Sequence, residues 1–159
     1  MFYFTTIPVN DSPLINAEGA IRKYSLKRHI PLDFQSSSSN IREEKYFLGN
    51  ENSNDLKITR IRTSFEWLFP KLIVSVPKKA TFENFKVRYC LLSLIIFFYI
   101  IIVISQSIFY SINNNEFDSN ILIMLALFAL FIILTFIELK LTKRKINQAI
   151  NNYSRAEKQ

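Results

Sequence analysis

The chain has 159 residues, 20 Lys and Arg against 13 Asp and Glu, a formal charge of +7, and 49% hydrophobic residues. Its single cysteine, Cys90, excludes an intramolecular disulfide and a cysteine-built metal centre. The positive excess argues against a nucleic-acid footprint, because it divides into 14 basic against 9 acidic residues in 1–88 and six against two in 138–159, with only Glu116 and Asp118 charged between them.

In chain order, residues 2–9 are aromatic and β-branched and predict an opening strand, placed at a sheet edge by Pro8. Asn10-Asp11-Ser12-Pro13 offers a cap followed by proline at the first helical position, so a helix over 13–24 is expected. Leu14, Ile15, Ala17, Ile21 and Tyr24 form its apolar stripe. The serine run 36–39 is a loop by composition. Strands are then expected over 45–48, 56–62, 71–76 and 81–89, with an Asn-dense turn at 49–55, as an antiparallel sheet. In the last strand Phe85, Val87 and Tyr89 alternate with Lys86 and Arg88. It runs without a linker into apolar sequence, which predicts a sheet held in a fixed pose at a membrane surface.

Residues 89–110 carry no charge, and 22 residues at 1.5 Å each give about 33 Å, enough for a hydrocarbon core of about 30 Å. A second span is expected over 121–141, opening with fourteen consecutive apolar residues and reaching its first charge at Glu138. The connection between them is too short for anything but an antiparallel hairpin. Basic residues stand only outside it: Lys78, Lys79, Lys86 and Arg88 before, Lys140, Lys143, Arg144 and Lys145 after. These eight are the expected membrane-surface contacts, and their bias puts both termini on the cytoplasmic side of an inner, cytoplasmic membrane. Tyr89, Tyr110 and Phe117 would anchor at headgroup level. Small side chains for helix packing are Ser107 with Ser111 and Ala126 with Ala129. Glu138 is expected to pair with Lys140 or Lys86 at the membrane edge. Residues 142–159 form a basic tail in which Ile146, Ala149, Ile150 and Tyr153 recur at helical spacing, predicting a short amphipathic helix on the bilayer or on the sheet.

The fold expected is therefore α+β: a cytosolic region over 1–88 with a small antiparallel sheet and one helix, a transmembrane helical hairpin over 89–141, and the tail. Tyr46-Phe47-Leu48-Gly49, Leu56-Lys57-Ile58-Thr59-Arg60, and Ser64-Phe65 through Phe69-Pro70 and Ile73, followed by two spans, resemble a group of small two-pass membrane proteins common in Bacteroidota. The likeness covers most of the chain, although Glu66-Trp67 interrupts the S-F-L-P-like turn of that group. It implies the architecture and no catalytic residue, since the group has no established activity.

The search for chemistry ends without a constellation. The lone His29 lacks a nucleophile context and is expected in a surface loop, Glu43 and Glu44 would face opposite ways in a strand, and Gly19 and Gly49 stand alone rather than in a phosphate loop. No catalytic residue, metal ligand or cofactor site is expected, and the chain is not read as an enzyme. Lys57, Arg60, Arg62 and Lys71 are either a solvated strand face or contacts for anionic headgroups. The leading reading is a membrane-anchored interaction or sensing module whose partners are the lipid bilayer and a protein or second copy, with no nucleic acid. The alternative is a membrane-permeabilising effector acting through oligomerised hairpins, against which stands the lack of a polar helix face.

Overall fold

The computed structural model describes residues 3–8, 14–37, 45–78, 84–114 and 120–156. Six strands make one sheet: β1 (Thr5–Pro8), β2 (Ser25–Lys27), β3 (Phe47–Glu51), β4 (Asp55–Arg60), β5 (Leu72–Pro77) and β6 (Asn84–Tyr89), in the order β1-β6-β5-β4-β3-β2. Strands β3 to β6 form an antiparallel meander, and β1 adds antiparallel at its outer side, with Ile7 opposite Phe85 and Pro8 opposite Asn84. Proline is tolerated on that edge because its missing N–H removes no interior ladder bond. The sheet is not wholly antiparallel as expected: β2 runs parallel to β3, Leu26 opposite Leu48. A parallel pair needs a long connection, and the chain between the two strands supplies it.

Period-two alternation gives the sheet one strongly apolar face. Phe85 and Val87 of β6, Leu72, Val74 and Val76 of β5, Leu56 and Ile58 of β4 and Phe47 of β3 are all buried there. Helix α1 (Leu14–Lys23) covers part of this face with Ala17, Ala20 and Ile21. The rest is covered by the far end of α3. Helix α2 (Leu91–Asn114) leaves β6 across the single residue Cys90, and α3 (Asn120–Ala156) continues for 37 residues as one helix. The separate tail helix is thus corrected. The expected second span and the tail are one element, and Ile146, Ala149 and Ile150 of its last part belong to the sheet's core. Burying an isoleucine contributes about 1.5–3 kcal/mol, so docking beats an exposed tail. Gly19 permits the close crossing of α1 by α3, since a Cβ there would stand 3.4 Å from the Tyr153 hydroxyl.

Both α2 and α3 are long and apolar enough to cross a membrane, and only 17% and 11% of their most apolar stretches are buried. Core helices of a soluble domain would be mostly covered, whereas here Leu92, Phe98, Tyr99, Leu122 and Phe136 are exposed. The two helices pack through a seam in which Ser93, Ile100 and Ser107 are buried seven residues apart. On α3 the seam continues as Phe131, Thr135, Glu138 and Thr142, in alternating steps of four and three. Ser107 lies in this seam and Ser111 is half-buried, while Ala126 and Ala129 are exposed on the outer side of α3.

Candidate functional site

The seam meets the sheet in a cluster of buried charges. Because β4 alternates, Arg60 points to the helix-covered face, and its extension carries Arg62 to the same side. Both guanidiniums reach Glu138, which is fully buried on α3: Arg60 Nη2 donates to Oε2 at 2.7 Å, and Arg62 Nε stands 3.4 Å from Oε1. Arg60 Nη1 also donates to both oxygens of Glu66 at 2.9 Å. Glu66 belongs to a 3-10 turn (Ser64–Leu68) and accepts the Thr63 backbone N–H at 2.8 Å. Burial opposes the charge on Arg60, yet Glu138 and Glu66 outweigh it and hold its pKa above the usual arginine value. Arg62 goes the other way, because burial exceeds what Glu138 returns. Its Nη1 donates to the Phe69 carbonyl at 2.7 Å, while its buried Nη2 has no hydrogen-bond partner.

A second ionic group stands at the start of α2. Asp33 accepts from Arg88 Nη1 and Nη2 at 2.8 and 2.7 Å and takes the Leu91 N–H at 3.0 Å, capping the helix from a distant loop. The Arg88 hydrogen bonds hold the Asp33 carboxyl at about 2. Beside it Lys71 Nζ donates to the Leu32 and Gln35 carbonyls, makes no ion pair with a carboxylate among the described residues, and has its pKa lowered by burial, which outweighs the attraction of Asp33. Its backbone N–H donates to Ser93 Oγ at 2.8 Å, tying β5 to the first turn of α2. Tyr89 completes the junction by stacking on Phe4 at 4.4 Å and donating its hydroxyl to Thr135 Oγ1 at 3.3 Å.

Between the two ionic groups lies a cavity of about 510 Å³ lined by Asp33, Gln35, Arg62, Lys71, Ser93 and apolar residues including Leu92, Ile96 and Phe131. That volume falls within the range of small-molecule sites. Exposed Phe34, Trp67 and Leu68 stand around it.

These placements differ from several expectations. Glu138 pairs with Arg60 and Arg62 rather than with Lys140 or Lys86. Arg60, Arg62 and Lys71 are buried rather than spread on a solvated face. Of the eight basic residues assigned to the membrane surface, Arg88 is buried on Asp33. Lys78 pairs with Glu51 at 3.0 Å at the end of β5 remote from the hairpin, roughly 20 Å along the strand from Leu72. Lys86 lies over the Tyr3 ring at 5.5 Å, and Lys145 over Tyr46 at 4.7 Å. Lys140, Lys143 and Arg144 are exposed on α3. His29 is exposed in the loop after β2. Lys79, Glu43, Glu44 and Phe117 fall outside the described residues. Asp33 was missed by sequence reasoning, and only an Asp in a loop could have signalled it. Among the described residues no group of three His, Cys, Asp or Glu side chains is placed to hold a metal ion.

Comparison with protein-family models, curated proteins and solved structures finds no match to this chain.

Proposed function

We propose that the chain is a two-pass integral membrane protein, with its sheet and both termini on the cytoplasmic side, that works as a membrane-anchored interaction or sensing module. One observation carries this reading: α3 is a single helix whose first half is apolar and uncovered and whose second half is built into the sheet's core. Nothing hinged intervenes. Cys90 alone separates β6 from α2, and the Arg60–Glu138 and Arg88–Asp33 pairs lock the two ends. A displacement of the hairpin is thereby transmitted to the sheet, which is what a sensor or a positioned docking platform requires. The basic residues around the hairpin and the absence of any in the loop support the orientation.

Induced expression tests the reading. An anchored module remains in the membrane fraction through alkaline carbonate washing, requires detergent for release, and admits no impermeant dye into the cell. Dye uptake that stops when Gln106, an exposed polar residue in the second half of α2, is changed by Gln106→Leu would replace it with the permeabilising effector.

A further inference from the structure

The junction between sheet and hairpin holds an excess of buried positive charge. Arg60, Arg62, Lys71 and Arg88 are all more than nine-tenths buried, and among the described residues they face three carboxylates, Asp33, Glu66 and Glu138. Each carboxylate is already committed: Asp33 to both terminal nitrogens of Arg88, Glu66 to Arg60, and Glu138 to Arg60 and Arg62. Among the described residues the surplus falls on Lys71, whose Nζ donates only to carbonyl oxygens while Asp33 is held by Arg88, and on Arg62, whose Nη2 is without a partner. Both line the same cavity, and buried cations of this kind call for an anion.

The cavity's shape says which anion. Its outer wall is formed by Leu92 and Ile96 in the first turns of α2, which are 64% and 44% exposed on the apolar surface of the hairpin. Trp67 and Leu68, 70% and 63% exposed, stand at its rim as interfacial anchors do. A ligand that fits has one negative group to meet Arg62 and Lys71 and a long apolar part to lie along Leu92 and Ile96. Gln35 Oε1, a buried acceptor of the cavity lining without a partner among the described residues, suits a headgroup hydroxyl.

We propose that this cavity binds an anionic phospholipid from the cytoplasmic leaflet, its phosphate held by Arg62 and Lys71 and its chains lying against α2. The site deepens the sensing assignment and rests on the hairpin being embedded in a bilayer. A phosphate there joins the loop of Asp33 and Gln35, strand β5 and helix α2 through one ligand, so occupancy couples leaflet composition to the sheet.

The full chain in neutral detergent is offered phosphatidylglycerol and phosphatidylcholine together and examined by native mass spectrometry. One phosphatidylglycerol is retained, favoured about tenfold over phosphatidylcholine. Arg62→Gln abolishes that preference, and Arg28→Gln, an exposed cation just after β2, leaves it intact. If Arg62→Gln does not fold, Leu92→Trp decides, since it blocks the lipid side of the cavity without touching a buried charge and is expected to abolish retention. Equal retention of the two lipids, or unchanged preference in both site variants, overturns the proposal. Displacement of the lipid by glycerol phosphate alone assigns the cavity to a soluble phosphate and overturns the lipid assignment. Flotation of the chain with detergent-free vesicles checks the premise separately: a chain that stays in solution removes the membrane reading and the site with it.

Discussion

Glu138 is where the two halves of the molecule are held together. Its carboxylate is fully buried between Arg60 and Arg62, so Glu138→Gln leaves Arg62 without its counter-charge and Arg60 with Glu66 alone. Breaking a buried pair by removing one partner costs about 3–5 kcal/mol, which denaturation in detergent micelles will read. The exposed Lys140→Gln, two residues on, is expected to stay within about 0.5 kcal/mol of wild type. Asp33 supplies a pH test. With its carboxyl held at about 2 against an ordinary value of 3.8, the folded state binds fewer protons than the unfolded chain in that window. The stability it contributes is therefore complete above about pH 4 and is lost as pH falls toward 2, amounting to at most about 2 kcal/mol. In Asp33→Asn that part of the acid-induced decline disappears, measured as a shallower loss of melting temperature between pH 5 and about 2.5. A charge at the edge of an apolar run made Glu138 conspicuous in the sequence, but its partner Arg60 lies 78 residues away and the pairing depends on how β4 aligns with α3. Alternating Arg60 and Arg62 on a strand resemble a solvated face until a carboxylate descends on them from a helix. That information is tertiary.

At the scale of elements, α3 does two jobs with one seam. Phe131, Thr135, Glu138 and Thr142 keep the same spacing from the apolar half into the docked half, so the helix passes from its uncovered part to its covered part without changing face. Lys143→Pro, placed on the exposed side, removes one helical hydrogen bond and clashes with the preceding turn at a cost of about 3 kcal/mol. Hydrogen exchange is expected to rise across residues 146–153 and the sheet face beneath them while 121–137 stay protected. Uniform protection would show that the two halves are independent helices. Thr142→Val acts in the opposite direction: the buried Thr142 hydroxyl has no partner, so replacing it with a methyl raises stability by up to about 1 kcal/mol in the same denaturation assay. The strands themselves were legible, since β3 to β6 fall close to the apolar alternations at 45–48, 56–62, 71–76 and 81–89. Gly49 misled the boundary of the first, because it lies inside β3 rather than opening the turn. A Cβ at Gly49 would stand 3.2 Å from Ser25 Cβ, so glycine serves the close approach of β2. Strand β2 escaped notice, as three residues, Ser25–Lys27, are too few to show a period. The tail's apolar stripe was visible, but its continuity with the second span was not: the basic cluster at 143–145 looks like a helix end and instead lies within an unbroken one.

For the whole molecule, the sheet, α1 and the docked half of α3 form one body, and the hairpin projects from the end of the sheet where Tyr89 and Leu72 pair. That arrangement predicts a topology in which the exposed residues of the sheet and of the α3 end share one compartment, and the tip of the hairpin reaches the other. Wild-type Cys90 is 2% exposed and serves as the unreactive background for single-cysteine labelling. The decisive measurement is reaction with an impermeant maleimide in sealed, oriented vesicles of Asn50→Cys, Ile123→Cys, Lys143→Cys and Asn114→Cys. Asn50→Cys and Lys143→Cys should label from the same side, Asn114→Cys only from the opposite side, and Ile123→Cys from neither until detergent is added. Labelling of Ile123→Cys in intact vesicles, or of Asn50→Cys and Lys143→Cys from opposite sides, would contradict a hairpin fixed in lipid beneath a single sheet domain.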